Sequence, residues 1–264
     1  MQNIDNRIVI NVENKIATVS FSRPDKHNAL DMPMFYAIDK TVRILKKRKD
    51  VRVIIVNGEG QSFCSGLDIK SVMTNKGNAI KLLWKWLPGN ANLAQRVTVG
   101  WRRLRVPVIM AIHGKCWGGG MQIALGGDYR IAAADASLSI MEARWGLIPD
   151  MGGTIALSEN MPVDQAMKLA MTAETLSAEE ALNLKLISQV AEDPYQAAKN
   201  FAESLVERSP DVLGTIKPVY HSLWCPSERK ILARETLNQW RIIFGKNRAI
   251  AVKKAMGKDK IDFV

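Results

Sequence analysis

The stretch HGKCWGGGMQ, residues 113–122, decides how this chain is read. An apolar, strand-like run precedes it (VPVIMAI, residues 106–112), and an apolar run compatible with a helix follows at 122–125. Gly118, Gly119 and Gly120 therefore sit where a strand gives way to a helix. Glycine at such a place lets a ligand approach the backbone closely. The first amides of a helix have no internal partner and carry the positive end of its dipole. These glycines can thus offer N–H groups to an anion or a developing oxyanion. The same pattern also suits a tight turn chosen only for packing.

On either side, β-like and helix-like runs alternate. Residues 7–12 and 16–21 predict a hairpin joined by Glu13-Asn14-Lys15. Pro33 opens a helix whose apolar positions Met34, Phe35, Ile38, Val42 and Leu45 recur at helical spacing. Residues 51–56 (VRVIIV) have the length and β-branching of a buried strand. The polar segment 70–92 carries Trp84 and Trp86, breaks at Pro88-Gly89 and is expected to be mobile. A helix is predicted over 94–103, strands over 129–133 and 138–141, and helices over 164–171 and 177–184, with Ser177 and Glu180 spaced as a capping box. Residues 186–190 predict an edge strand, and beyond Pro194 only helices follow, at 194–208, 211–223, 227–243 and 247–256. Alternating strands and helices define an α/β fold. Trp101, Trp224 and Trp240 are expected in the core.

Composition narrows the function classes. Of 264 residues, 47% are hydrophobic, enough for a large core in one large or two modest domains. The first residues lack a basic segment followed by a sustained apolar one, and no apolar run approaches the roughly 18 residues of a membrane span. A soluble, cytoplasmic protein is expected. Cys64, Cys116 and Cys225 are odd in number and far apart, which argues against a disulfide framework or a zinc site and for buried free thiols. The net charge of +11 favours an anionic partner without choosing among nucleic acid, a phosphorylated small molecule and a membrane surface. No P-loop, dinucleotide fingerprint or nucleophile elbow occurs, and His27, His113 and His221 lack metal-ligand spacing.

Three glycine-containing loops each follow a β-like run, which suggests one shared site at an edge of the sheet. In order and spacing, SFSRPDKHNAL, FCSGLD, IHGKCWGGGMQIALGGDYRIA and EARWGLIPDMGG resemble the enoyl-CoA hydratase/isomerase (crotonase) superfamily, over about residues 7 to 190. The resemblance implies an α/β fold built as a crotonase-like spiral of ββα units, with an acyl-CoA-binding core over 1–195 and a C-terminal helical trimerisation region over 196–264. It further implies a homotrimer or dimer of trimers, a coenzyme A thioester as substrate, no separate cofactor or metal, and neither membrane nor nucleic acid as partner. By motif position the amides of Leu67 and Gly119 would form the oxyanion hole. Coenzyme A would lie against Lys26, His27 and Ala29 and against Ser65, Gly66, Asp68 and Ile69, with Trp117 and Gly118 beside it. For His27 a solvated loop position is the alternative.

The acid/base positions depart from the hydratase pattern. Hydratases of this family carry a glutamate three residues after the oxyanion glycine; here that residue is Gln122, whose amide cannot exchange a proton near neutral pH. The second position is retained as Glu142, and Asp150 stands where dienoyl-CoA isomerases of the family carry an aspartate. Glu142 with Asp150 could move a proton between two carbons of an enoyl chain, so isomerisation is favoured over hydration. Against this stand a structural role for Gln122 or Glu142, a helix cap for Asp150, and a non-catalytic acyl-CoA-binding or RNA-binding protein on the same fold.

Overall fold

The computed structural model describes residues 1–75, 77–225 and 227–257. The chain opens with β1 (Gln2–Ile4), β2 (Ile8–Glu13) and β3 (Ile16–Phe21), an antiparallel meander. Helix α1 (Met32–Lys47) follows, capped by the Asp31 carboxylate, which accepts from the Met34 amide, and closed by Lys46 and Lys47 at the negative end of its dipole. Then come β4 (Val53–Gly58), the short helices α2 (Ile69–Met73) and α3 (Gly77–Leu83), α4 (Leu93–Arg102), β5 (Val108–Ile112), β6 (Lys115–Trp117), α5 (Gly119–Leu125), β7 (Tyr129–Ala133) and β8 (Ser137–Ser139). The remainder runs α6 (Gly153–Asn160), α7 (Val163–Thr172), β9 (Thr175–Leu176), α8 (Ala178–Asn183), β10 (Gln189–Ala191), α9 (Pro194–Val206), α10 (Pro210–Trp224), α11 (Glu228–Ile243) and α12 (Lys246–Ala255). The Ser177/Glu180 capping box is present at the start of α8. Residues 258–264, the end of the expected helical region, lie outside the described residues.

Seven strands form one sheet in the order β1-β2-β3-β4-β5-β7-β10, parallel from β3 onward; β6, β8 and β9 form a second sheet. The period of two explains why β4 and β5 read as unbroken apolar runs. Ile54, Val56, Val108, Met110 and Ile112 enter the main core beneath α1, while Val53, Ile55, Ile109, Ala111 and Ile131 enter a second core on the opposite face. That second face is closed by Ala198 and Ala202 of α9. The parallel strands all point the same way, so the loops after β4 and β5 meet at their carboxyl ends, the usual ligand edge of such a sheet.

The C-terminal helices bind back onto this frame through charge. Asp128 Oδ2 accepts from the Val108 amide (2.7 Å) and pairs with Lys217 Nζ (2.7 Å), and Asp128 Oδ1 meets His221 Nε2 at 3.1 Å. Lys217 Nζ also donates to the carbonyls of Trp101 (3.1 Å) and Val106 (3.0 Å). The outer face of α10 is apolar and exposed along Val212, Ile216, Val219, Tyr220, Leu223 and Trp224.

Several expectations are corrected. Trp101 is fully buried and Trp240, half-buried, packs against the main core beside Phe244, both as expected, but Trp224 is 58% exposed and stacks on Tyr220. Strand β6 lies inside what reads as loop, while α5 begins at Gly119, within the glycine run as expected. Asp150 does not cap α6: Gly152 is the N-cap, its own amide donates to Glu235, and the first helical amide, of Gly153, donates to Gln122.

Candidate active site

Three loops converge at the carboxyl edge of the sheet. Cys64 donates its amide to the Lys115 carbonyl (3.0 Å), and the Trp117 amide donates to the Cys64 carbonyl (3.0 Å), which lays the 62–68 loop along β6. Two glycines permit this approach. Gly66 has φ +89°, and a Cβ there would stand 2.7 Å from the Trp117 carbonyl; Gly118 has φ +50°. Both lie in the left-handed region that side chains resist. The same hypothetical Gly66 Cβ would stand 3.4 Å from the Gly119 amide nitrogen, so the Leu67 and Gly119 amides belong to adjoining segments. Gly119 is the first residue of α5, whose amide has no partner within the helix. The Leu67 amide donates to no described residue. Among the described residues, two N–H groups from two loops are thus left without an acceptor at one place.

Beside them lie the carboxylates. Glu142 opens a 3-10 turn, Glu142–Trp145, and is buried. Gln122 Nε2 donates to Glu142 Oε1 at 2.6 Å, and Gln122 Oε1 accepts from the amides of Met151 (2.9 Å) and Gly153 (3.3 Å). An amide serves here because one end must donate and the other accept. Glu142 Oε2 is buried without a hydrogen-bond partner among the described residues. Burial raises the Glu142 carboxyl above its usual range, and the Gln122 hydrogen bond partly offsets this. Asp150 is buried too, and its carboxyl is pushed well above the ordinary carboxylate range by burial first, then by Glu235 and Glu142. Both carboxyls are thus raised, Asp150 the more strongly.

The Gln122 bridge makes a prediction. Gln122→Glu sets two acceptors against each other where a 2.6 Å hydrogen bond stood, so the pair must share a proton. The titration of the Glu142 carboxyl, followed by carboxyl-carbon NMR, is expected to move to higher pH by about one unit; an unmoved midpoint would show that the bridge is electrically unimportant.

The residues expected to meet coenzyme A occupy one rim. Lys26 is exposed, and His27 and Ala29 are half-buried. The Ser65 amide donates to the His27 carbonyl (2.9 Å), and His27 Nδ1 contacts Ser62 Oγ (3.0 Å), so His27 is held in the rim rather than merely solvated. Leu30 ties the rim to the glycine loop: its amide donates to the Gly66 carbonyl (2.8 Å), and its carbonyl accepts from the Asp68 amide (3.0 Å). Asp68 is engaged by Arg23 (2.9 Å) and caps α2 through the Ser71 amide, while Ile69 begins that helix. The Trp117 indole donates to Ser137 Oγ (2.9 Å), and Lys115 Nζ lies over its ring. Burial pushes the Cys64 thiol up to about 12, which leaves it protonated and unsuited to nucleophilic work. Among the described residues no group of His, Cys, Asp and Glu could hold a metal ion.

Sequence reasoning missed Glu235, Gln239 and Lys85, which the fold brings to the same place. Glu235 Oε2 accepts from the amides of Gly152 (3.0 Å) and Gln95 (3.0 Å, side chain), and Oε1 accepts from the Thr154 hydroxyl. Nothing in the order of residues links position 235 to a loop some eighty residues earlier.

Paired backbone amides and buried carboxyls thus lie together at the edge of a mixed α/β fold. The enoyl-CoA hydratase/isomerase family profile matches residues 11–246, and the chain belongs to that family. It is 31% identical over 229 residues to the (E)-benzylidenesuccinyl-CoA hydratase of Thauera aromatica, covering 82% of this chain and 86% of that one. It is 33% identical over 185 residues to the peroxisomal Delta(3,5)-Delta(2,4)-dienoyl-CoA isomerase of Arabidopsis thaliana, covering 68% and 66%. The crystal structure of an enoyl-CoA hydratase/isomerase from Mycobacterium paratuberculosis superposes with a TM-score of 0.85 at 20% identity, covering 94% of this chain and 98% of that one, a likeness of fold. Hydratases and isomerases both stand among the relatives. No helix among the described residues is long and apolar enough to cross a membrane.

Proposed function

We propose that this family member moves a double bond in an enoyl-CoA thioester. The observation that carries the reading is the pairing of Glu142, whose Oε2 is buried and unpartnered, with Asp150, whose surroundings favour the neutral acid. Glu142 takes a proton from the saturated carbon between the thioester carbonyl and the double bond. The electron pair passes into the carbonyl, and the resulting enolate oxygen is held by the Leu67 and Gly119 amides. Asp150 then delivers its proton at the other carbon, and transfer from Glu142 restores the starting state. Fixed amide donors of this kind are worth about 10²–10³ in rate. Coenzyme A enters as part of the substrate, resting on the Lys26–Ala29 and Ser65–Ile69 rim near Trp117 and Gly118, and the proton shuttle calls for no further cofactor.

Hydration is the less suited reaction because Gln122 has no free acceptor to hold a water: its Oε1 already takes two backbone amides and its Nε2 serves Glu142. Incubating the protein with 2-enoyl-, 3-enoyl- and dienoyl-CoA esters and identifying products by mass spectrometry tests this. Shifted double bonds support isomerisation, 3-hydroxyacyl products convert the reading to hydration, and no turnover of any ester defeats it. Tight ester binding without turnover, or salt-sensitive RNA binding, would favour the binding-module alternative that the +11 charge suggests. The exposed apolar stripe of α10 supports assembly as a trimer or dimer of trimers, measurable by light scattering. Three buried free thiols suit a reducing compartment such as the cytoplasm.

A further inference from the structure

Helix α11 buries an unusual face. Its inward positions are Leu232, Glu235, Thr236 and Gln239, three of them polar. Every one of those polar side chains has a defined partner. Thr236 Oγ1 accepts from Asn92 Nδ2 (3.1 Å), which caps α4. Gln239 Oε1 accepts from the Ile148 amide (3.1 Å), and the Gln239 side chain faces the Asp150 carboxyl. Glu235 takes the Gly152 amide and the Thr154 hydroxyl. One helix thus grips the loop before Asp150, the Asp150 side chain itself, and the loop after it. Polar groups are buried at a cost of desolvation, and a helix that only packed would carry apolar residues here.

We propose that Glu235 and Gln239 are positioning residues for Asp150, fixing where its carboxyl stands beside Glu142 and whether it carries charge. The proposal rests on the enolate reading above, because it is Asp150's part in proton delivery that gives the arrangement a use. The groups facing Asp150 come from three elements: Glu142 on the 3-10 turn, Glu235 and Gln239 on α11, and Lys85 after α3. Lys85 Nζ donates to the Leu232 carbonyl (2.9 Å) and Gln95 Oε1 (3.2 Å), so this cation is anchored to α11 and α4. Three buried carboxyls, of Glu142, Asp150 and Glu235, and the half-buried Lys85 ammonium interact here, and the position of one proton depends on all of them. Burial holds the Glu235 carboxyl up at about 7, with Thr154, Gln95, Gly152 and Lys85 pulling it down, so its charge can change near neutrality. Asp150 feels that charge directly. The helix therefore sets both the geometry of the proton donor and the pH at which it donates.

Carboxyl-carbon NMR titration of the full chain, with the Asp150 signal assigned by its loss in Asp150→Asn, tests this without any substrate. Glu235→Gln removes a negative neighbour and should lower the Asp150 midpoint by about one pH unit. Gln239→Leu removes a donor and should raise it. In turnover assays the limb lost in Asp150→Asn should move with the NMR midpoint, so that past the limb kcat changes about tenfold per unit while KM stays within a factor of about two. A purely structural role would change unfolding temperature and leave the midpoint and limb in place, which would overturn the proposal. Should Glu235→Gln not fold, Gln239→Leu decides alone, because it leaves the Glu235 hydrogen bonds to Gly152 and Thr154 intact. If the wild type turns over no ester, the functional reading fails, and the NMR midpoints still decide whether α11 governs Asp150.

Discussion

Glu142→Gln is expected to lower kcat on the responsive enoyl-CoA ester by about 10²–10⁴, the range of a lost general base. KM should change little, because the proposed coenzyme A rim at Lys26–Ala29 and Ser65–Ile69 is built from other loops. The replacement keeps volume and an acceptor for Gln122 Nε2, so the 2.6 Å bridge and the Met151 and Gly153 hydrogen bonds can persist. What disappears is the basic Oε2. The pH dependence has a definite sign. A base works when ionised, and burial raises this carboxyl, so wild-type activity should climb with pH on a limb above the ordinary glutamate value of about 4.3. That limb should be absent from the variant. Wild-type rates in Glu142→Gln would remove this carboxylate from the mechanism.

Lys217→Met is expected to cost about 3–5 kcal/mol of folding stability, because it leaves the Asp128 carboxylate buried without its cation. For a chain of this size that is about ten degrees or more in unfolding temperature. Pairing it with Asp128→Asn should recover much of the loss, since replacing both partners of a buried pair is far cheaper than removing one. Burial acts to raise the Asp128 carboxyl, but Lys217, His221 and the Val108 amide outweigh it and hold it below the usual range. A depressed carboxylate contributes stability that is fully present above its unfolded value, about 3.9, and is lost as pH falls through the folded one. The wild type should therefore lose this contribution below about pH 4. Thermal unfolding by circular dichroism as a function of pH, at fixed protein concentration, measures both effects. A drop under about 1 kcal/mol would mark the pair as an ordinary surface bridge.

How much of this was legible beforehand depended on how local the cause was. Helix α1 could be read from Met34, Phe35, Ile38, Val42 and Leu45, and β7 at Tyr129–Ala133, because periodicity is written within a single element. The convergence of the three glycine loops was legible from their repeated strand–loop order, and it places Leu67, Gly119, Gln122, Glu142 and Asp150 in one neighbourhood. The double role of Gln122 was not, since it depends on which backbone amides face Oε1. Nor was α11: Glu235, Thr236 and Gln239 look like a solvated face until α4 and the 148–154 loop supply their partners. Strand β6 is three residues long and exists because β8 pairs with it. Trp224 misled for the opposite reason, since an apolar helix stripe looks the same whether it meets the core or open surface.

The two-faced sheet has a consequence for how the chain is made. Ile55, Ile109 and Ile131 wait for Ala198 and Ala202, which the ribosome adds last among them. At about 5–20 residues per second, Ile55 stands uncovered for on the order of ten seconds during synthesis. A nascent chain ending before α9 presents a flat apolar plane to the cell, so stalled or truncated products should be chaperone-bound or aggregated, while chains that reach Val206 can close it.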